Sequence, residues 1–299
     1  MELKDKKIIV TGSSGMIGSN LTGKLRDEGA NVLLFSRIEG VDLRNTKNIP
    51  AVDNVDLIYH LAAIMDVPYS FENPRDVLSA NFITTLNMLE VARENDSLFI
   101  YTSSYLYGTP KYLPIDEKHP ISPHNPYSQS KYLCEQLISG YVRDFDLKAV
   151  IVRPFNIYGP KLNKYFLIPT IISQLNSKEI KLKNPIPKRD YLYVDDIIDL
   201  LIKIGKKEFS NFEVVNAGYG KSYSVRELAE MILSIANSDA NIVFENVTRK
   251  GEVLDVIADI SKAKNKYNWE PNVDFRTGIK KMYRAKIPNY KQQISNKSK

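Results

Sequence analysis

"KKIIVTGSSGMIGSNL", residues 6–21, begins as an apolar run and is then broken by glycines at 12, 15 and 18. The run reads as a buried strand, and the pattern after it as the start of a helix. A strand that turns sharply into a helix, with glycines at the turn, lets backbone N–H groups at the helix start approach a ligand closely. The spacing is G-x-x-G-x-x-G rather than the more familiar G-x-G-x-x-G, but the physical demand is the same. Directly after the first strand, it points to a dinucleotide diphosphate.

The rest of the first half repeats this alternation. "NVLLFS" (31–36), "VDLIYHLA" (55–62), "LFIYTS" (98–103) and "KAVIVRPF" (148–155) are nearly continuous in apolar character, as strands covered on both faces are. Between them lie helical patterns. In "PRDVLSANFITTLNMLEVAREN" (74–95), Leu78, Phe82, Leu86 and Leu89 form one stripe, and Leu133, Leu137 and Tyr141 form another. Strand–helix alternation predicts an α/β fold, a Rossmann-type doubly wound parallel sheet. The expected organisation is a dinucleotide-binding domain over 1–155, with a returning segment at about 190–217. A smaller α+β substrate domain takes 156–189 and 218–288, followed by a disordered polar tail at 289–299. "YVDDIIDLLIKIG" reads as a helix capped by Asp195 or Asp196, and "SVRELAEMILSIA" as one capped by Ser224.

Composition narrows the function classes. Apolar residues make up 43% and charged residues 25% of 299, a globular mix. The net charge of +6 comes from scattered lysines and arginines without an aromatic-rich basic patch, which argues against nucleic acid. No apolar run is long enough for a membrane span. One cysteine and three histidines supply no metal cluster. The lone Cys134 and the absence of a signal-peptide pattern fit a reducing cytoplasm. Core packing is the expected role of Cys134, and a solvated loop that of His119 and His124.

The choice of dinucleotide turns on the end of the second strand, where an acidic residue would hold the adenosine ribose. "LLFSRIEG" puts Ser36 and Arg37 there. A short neutral residue followed by a guanidinium suits a 2′-phosphate, so NADP is favoured and NAD stays possible. Asp42 is a candidate for the adenine edge. A candidate reacting group lies in "SPHNPYSQSKYLCEQLISGY" (122–141): Tyr127 and Lys131 are four apart, on one face of a helix. A nearby ammonium lowers a phenol's pKa toward use as an acid/base. Ser103 or Ser104, at the end of the fourth strand, could bond the reacting oxygen.

With these residues in view, the chain resembles the extended short-chain dehydrogenases/reductases, the NAD(P)-dependent nucleotide-sugar epimerases, dehydratases and reductases. The resemblance rests on Thr11–Gly18, "HLAA" (60–63), "NFITTLNMLEVAR" (81–93), "TSSYLYG" (102–108), Tyr127 with Lys131, "RPFNIYGP" (153–160), "RDYLYVDD" (189–196) and "RKGEVLDVIADISKAKNKYNWEP" (249–271). It implies Ser103, Tyr127 and Lys131 as the catalytic set. It implies cofactor contacts from Gly12, Ser14, Gly15, Met16, Ile17, Gly18, Ser36, Arg37, Asp42, Leu43, Leu61, Ala62, Ala63 and Pro154, besides Tyr127 and Lys131. Asn81 would begin a supporting helix. Ser103, Ser104, Asn156, Arg189 and Arg249 would meet the substrate, a nucleoside-diphosphate sugar. The helices of the two stripes would form a homodimer through a four-helix bundle.

The same resemblance separates reactions. Ser104 and Tyr105 stand where 4,6-dehydratases carry an acid pair, which argues against dehydration. Tyr105 also replaces the cysteine of 3,5-epimerase/4-reductases. Two activities remain: an NADPH-dependent 4-keto-sugar reductase, favoured by Ser36 and Arg37, and a 4-epimerase with tightly bound NAD. A non-catalytic NADP-binding redox sensor is the alternative of another class. The "KNPIPKR" loop (183–189) replaces the glycine-rich segment that relatives carry near the nucleoside.

Overall fold

Six parallel strands form the main sheet, in the order Asn31–Phe35, Lys7–Thr11, Leu57–His60, Leu98–Thr102, Ala149–Pro154 and Phe212–Ala217. The computed structural model describes residues 2–209, 212–248 and 252–286. The first half runs β1 (Lys7–Thr11), α1 (Met16–Asp27), β2 (Asn31–Phe35), β3 (Leu57–His60), α2 (Val67–Glu72), α3 (Pro74–Asn95), β4 (Leu98–Thr102), α4 (Pro126–Phe145) and β5 (Ala149–Pro154). After it come β6 (Asn156–Tyr158), α5 (Leu167–Ser173), β7 (Glu179–Leu182), β8 (Lys188–Tyr193), α6 (Val194–Gly205) and β9 (Phe212–Ala217). The chain then forms β10 (Ser222–Ser224), α7 (Val225–Ala236), β11 (Asn241–Phe244), α8 (Ser261–Tyr267) and α9 (Phe275–Lys286). Strands β10, β8 and β6 make a second small sheet, and β11 pairs with β7.

Alternation along each central strand feeds two cores. Ile8, Val10, Leu57, Tyr59, Ile100, Val150 and Val152 join a core with Leu21 and Leu25 of α1 and Ile197, Leu200 and Leu201 of α6. Ile9, Ile58, Phe99, Tyr101 and Ile151 join another with Met88, Leu89 and Ala92 of α3 and Cys134 and Ile138 of α4. Burial on both faces explains why these strands are almost uninterrupted in apolar residues.

The stripes read from sequence on α3 and α4 do not all face the sheet. Leu89 does, but Leu78, Phe82 and Leu86 are only half-buried, while Val77, Ala80, Thr85, Met88 and Ala92 are enclosed. On α4, Leu133 is exposed and Leu137 and Tyr141 half-buried; Ser130, Cys134 and Ile138 point inward. Small and polar residues take part of the inner faces, because the helices lie close to the strands that carry the site. The apolar stripes are thereby left largely on the outside.

Other local expectations change as well. Neither Asp195 nor Asp196 caps α6; Tyr193 is the N-cap residue, without a side-chain bond. Asp196 instead accepts the Asn272 and Val273 N–H groups at 2.9 and 3.2 Å, tying α6 to the chain before α9. Ser224 does cap α7, in a capping box with Glu227. Asn81 lies well inside α3 rather than at its start. Arg249 and the tail at 289–299 fall outside the described residues. Among the described residues, no helix is long and apolar enough to cross a membrane, and no His/Cys/Asp/Glu group could hold a metal ion.

Candidate active site

The strand ends meet at the glycine turn. Gly12 has a φ of +63°, its N–H donates to the Phe35 carbonyl at 2.9 Å, and a Cβ on it would lie 2.9 Å from the Ala62 nitrogen. Only glycine tolerates both conditions without strain. A Cβ at Gly18 would come within 2.3 Å of the Gly12 carbonyl oxygen, so the first turn of α1 can press onto the loop only with glycine there. Gly15 is the N-cap of α1 and supplies no side-chain bond. The first N–H groups of the helix therefore point to an acceptor from outside the loop.

Thr11 locks this turn to "HLAA". Its hydroxyl accepts the N–H groups of Leu61 and Ala62 at 3.0 Å each and contacts His60 Nδ1 at 2.8 Å. A hydroxyl that already accepts twice gives its proton to Nδ1, which leaves Nε2–H to donate to Thr85 Oγ1 at 3.1 Å. Thr85 passes the chain on to the Asn81 carbonyl at 2.8 Å. Burial, helped by the Lys131 charge, pushes His60 down to about 3, so it is a neutral brace. The Asn81 side chain accepts from Ile64 N at 2.7 Å and donates to Ser130 Oγ at 2.8 Å, linking the cofactor-side loop to α4.

Helix α4 starts where its sequence dictates. Asn125 Oδ1 accepts the Ser128 N–H at 2.8 Å, Ser128 Oγ accepts the Asn125 N–H at 3.1 Å, and Pro126 sits in the first turn. Tyr127 thus lies in the first turn, half-buried and hydrogen-bonded to Ser104. Ser103 hangs from β5 by an N–H···O bond to Val152 at 2.8 Å, and its hydroxyl is buried without a partner. Such an orphan calls for a ligand acceptor or donor. Together with the glycine cradle and the uncapped helix start, it fits a dinucleotide whose reactive end reaches Ser103 and Tyr127.

One expectation about this set is reversed. The Lys131 ammonium donates to the Thr102 carbonyl at 2.8 Å and lies 4.6 Å from the Tyr101 ring centroid. Enclosure by protein pushes the Tyr127 phenol up to about 12, with only the Ser104 bond acting against it. Burial likewise lowers Lys131 to about 8. Desolvation outweighs the expected charge effect, because the ammonium is turned to the strand.

The remaining predicted residues divide by place. Ser36 is buried at the end of β2 and Arg37 exposed on the turn after it. Asp42 is clamped by Arg44, whose Nη2 lies 2.7 Å from Oδ2, and that pair holds its carboxyl down at about 2. The Leu43 carbonyl accepts from Asn87 Nδ2 at 2.7 Å. Met16, Ile17, Ala62 and Ala63 are half-buried, Ser14 exposed and Pro154 buried. Asn156 Nδ2 donates to the Asp190 carbonyl at 3.0 Å, and Arg189 Nη1 donates to the Val253 carbonyl at 2.8 Å. Asp190 makes no bridge to Arg189; it accepts N–H groups of Tyr219, Gly220 and Ala258. Tyr105 stacks on Phe155, with ring centroids 5.3 Å apart. His119 is not a solvated loop residue: it is 2% exposed and accepts the Lys111 N–H at 2.9 Å, whereas His124 is exposed. Sequence reading missed the Thr11–His60–Thr85 chain and the pairing of Glu135 with Arg153. A glutamate four residues after Lys131 and an arginine inside an apolar strand were the available signals.

The chain is similar in sequence and in fold to known proteins. The GDP-mannose 4,6 dehydratase family model matches residues 37–282. A putative UDP-glucose 4-epimerase of Methanocaldococcus jannaschii is 31% identical over 301 residues, covering 92% of this chain and 96% of that protein. The UDP-glucose 4-epimerase of Thermotoga maritima, solved with UDP-glucose, has a TM-score of 0.83 at 26% identity, covering 96% of this chain and 99% of its own. RMD from Pseudomonas aeruginosa, solved with NADPH, has a TM-score of 0.85 at 26% identity, covering 94% and 98%.

Proposed function

The chain belongs to the extended short-chain dehydrogenase/reductase family of NAD(P)-dependent nucleotide-sugar epimerases, dehydratases and reductases, and from that premise we propose that it is an NADPH-dependent 4-keto-sugar reductase. The observation that carries the choice is the end of β2, where Arg37 is exposed beside the glycine loop and the nearby Asp42 is neutralised by Arg44. An unpaired carboxylate would repel a 2′-phosphate; a guanidinium receives it.

A bound nicotinamide supplies the hydride. Tyr127 gives its proton to the C4 oxygen of the nucleoside-diphosphate sugar, and Ser103 orients the carbonyl. Lys131, anchored on the Thr102 carbonyl, holds the ribose of the cofactor. Asn156 and Arg189 hold the diphosphate and nucleoside. The half-exposed apolar faces of α3 and α4 are covered by a second copy of the chain.

A 4-epimerase with tightly held NAD is the second reading, supported by the similarity to UDP-glucose 4-epimerases. A redox sensor is disfavoured by the complete Ser103, Tyr127 and Lys131 set. The deciding experiment is to denature the purified protein and identify what it releases. No released cofactor, with reversible NADPH binding and reduction of a 4-keto sugar nucleotide, is the expected result. Stoichiometric NAD in the supernatant overturns the reductase assignment in favour of epimerase. Reversible NADPH binding without turnover of any sugar nucleotide favours the sensor.

A further inference from the structure

Arg153 of β5 and Glu135 of α4 are 5% and 3% exposed. The guanidinium holds the carboxylate bidentately, Nε to Oε1 at 3.0 Å and Nη2 to Oε2 at 2.6 Å. Its Nη1 donates to the Tyr107 hydroxyl at 3.1 Å. Tyr107 in turn donates to Asn216 Oδ1 at 2.6 Å, and Asn216 Nδ2 donates to the Ile115 carbonyl at 3.0 Å. One buried chain of bonds thus links α4, β5, the segment after Ser103, and β9.

Stability is a poor explanation for this pair, since desolvating two ions offsets most of their attraction and apolar side chains fill such space as well. A forked pair adds direction, which an apolar contact lacks. Its place in the chain gives that direction a use. Glu135 follows Lys131 by one turn and Tyr127 by two, on one face of α4. Arg153 follows Val152, whose carbonyl holds the Ser103 N–H at 2.8 Å. Both halves of the reacting set are therefore referenced to adjacent residues of β5.

We propose that the Arg153–Glu135 pair, extended through Tyr107, is a positioning device that sets Tyr127 and Lys131 against Ser103. The proposal rests on the hydride-transfer reading above. The charged or titratable groups facing the Lys131 ammonium are Tyr101 of β4, His60 of β3 and, on α4, Cys134 and Glu135. Glu135 is the one carboxylate among them, and its charge favours the ammonium.

Glu135→Gln tests the idea. Turnover falls by about 10²-fold, as misplacement of roughly an ångström costs, while KM and cofactor affinity stay within about threefold. The alkaline limb of kcat/KM moves to lower pH, because Lys131 loses its anion. A lower melting temperature with kcat and pH profile unchanged overturns the proposal. Should this variant not fold, Tyr107→Phe decides: it removes one hydroxyl and lowers kcat several-fold at constant KM, and an unchanged kcat is the overturning result. Failure of the hydride-transfer reading looks different, since the wild-type chain then turns over no sugar nucleotide. In that case, uniformly isotope-labelled protein with NADP+ reads the Lys131 titration by NMR. A lower midpoint accompanied by shifted backbone amide signals at Tyr127 and Ser103 in Glu135→Gln supports the positioning role, and a lower midpoint alone or an unmoved one overturns it.

Discussion

The ammonium of Lys131 is bound to the carbonyl of Thr102, 2.8 Å away, in the residue that precedes Ser103. The lysine is thus anchored to the strand that presents the hydroxyl rather than to the phenol on its own helix. On the reading proposed above, charge that stabilises the Tyr127 phenolate would come partly from the nicotinamide as it becomes oxidised.

Tyr127→Phe removes the group assigned to move the proton. Turnover is expected to drop by about 10²- to 10⁴-fold, while NADPH binding, followed by its fluorescence, persists. Equal turnover in the variant would refute the assignment.

Lys131 gives two opposite pH effects. Burial lowers it from 10.5 to about 8, so between these values the unfolded chain holds a proton that the folded chain has released. Its contribution to stability therefore increases with pH across that window, and the cost of burying its charge is full below it. Activity runs the other way, because the charged form is needed: kcat/KM declines as pH passes about 8. A pH–rate profile that stays flat beyond that point counts against a catalytic charge on Lys131.

Arg37→Asp places a carboxylate where the 2′-phosphate is expected. The ratio of NADPH to NADH efficiency should fall by roughly tenfold or more, the scale of one charge-assisted bidentate contact. An unchanged preference in steady-state assays would remove the basis for choosing NADP.

Gly18→Ala adds a methyl 2.3 Å from the Gly12 carbonyl oxygen and 2.9 Å from the Ser13 Cα, both main-chain atoms. The loop has to shift, with a loss of about 1–3 kcal/mol in stability by denaturant titration and weaker dinucleotide binding. Wild-type affinity in this variant would mean that the loop does not hold the cofactor.

Leu133 is 40% exposed on α4, so Leu133→Glu costs the isolated chain little. If a second copy covers that face, the variant sediments as a monomer where the wild type is a dimer. An unaltered sedimentation coefficient would place the partner surface elsewhere.

Legibility in the sequence followed the range of the interaction. The alternation of buried strands and helices, the glycine turn and the Ser224 cap of α7 depend on neighbours within a few residues, and all were readable. Tyr127 and Lys131 could be singled out because residue type and spacing carry their chemistry, whereas the residues alone left Ser103 and Ser104 open and only the family resemblance chose Ser103. Their surroundings could not be read. A four-residue apolar repeat on α3 does not say which side faces the sheet. The inner face holds Asn81 and Thr85, whose bonds to Ile64, Ser130 and His60 exist only once the strands have assembled.

By itself, then, the amino-acid order determined the parallel sheet and the glycine turn and put Tyr127 and Lys131 on one helix face as candidates, since periodicity and backbone freedom are local properties. Tertiary structure alone decided that Lys131 turns to Thr102, that His119 is buried, and that Arg153 finds Glu135 and Tyr107 across separations of 18 and 46 residues. Those outcomes depend on desolvation and on partners brought together by folding, and neither is written in any short stretch of chain.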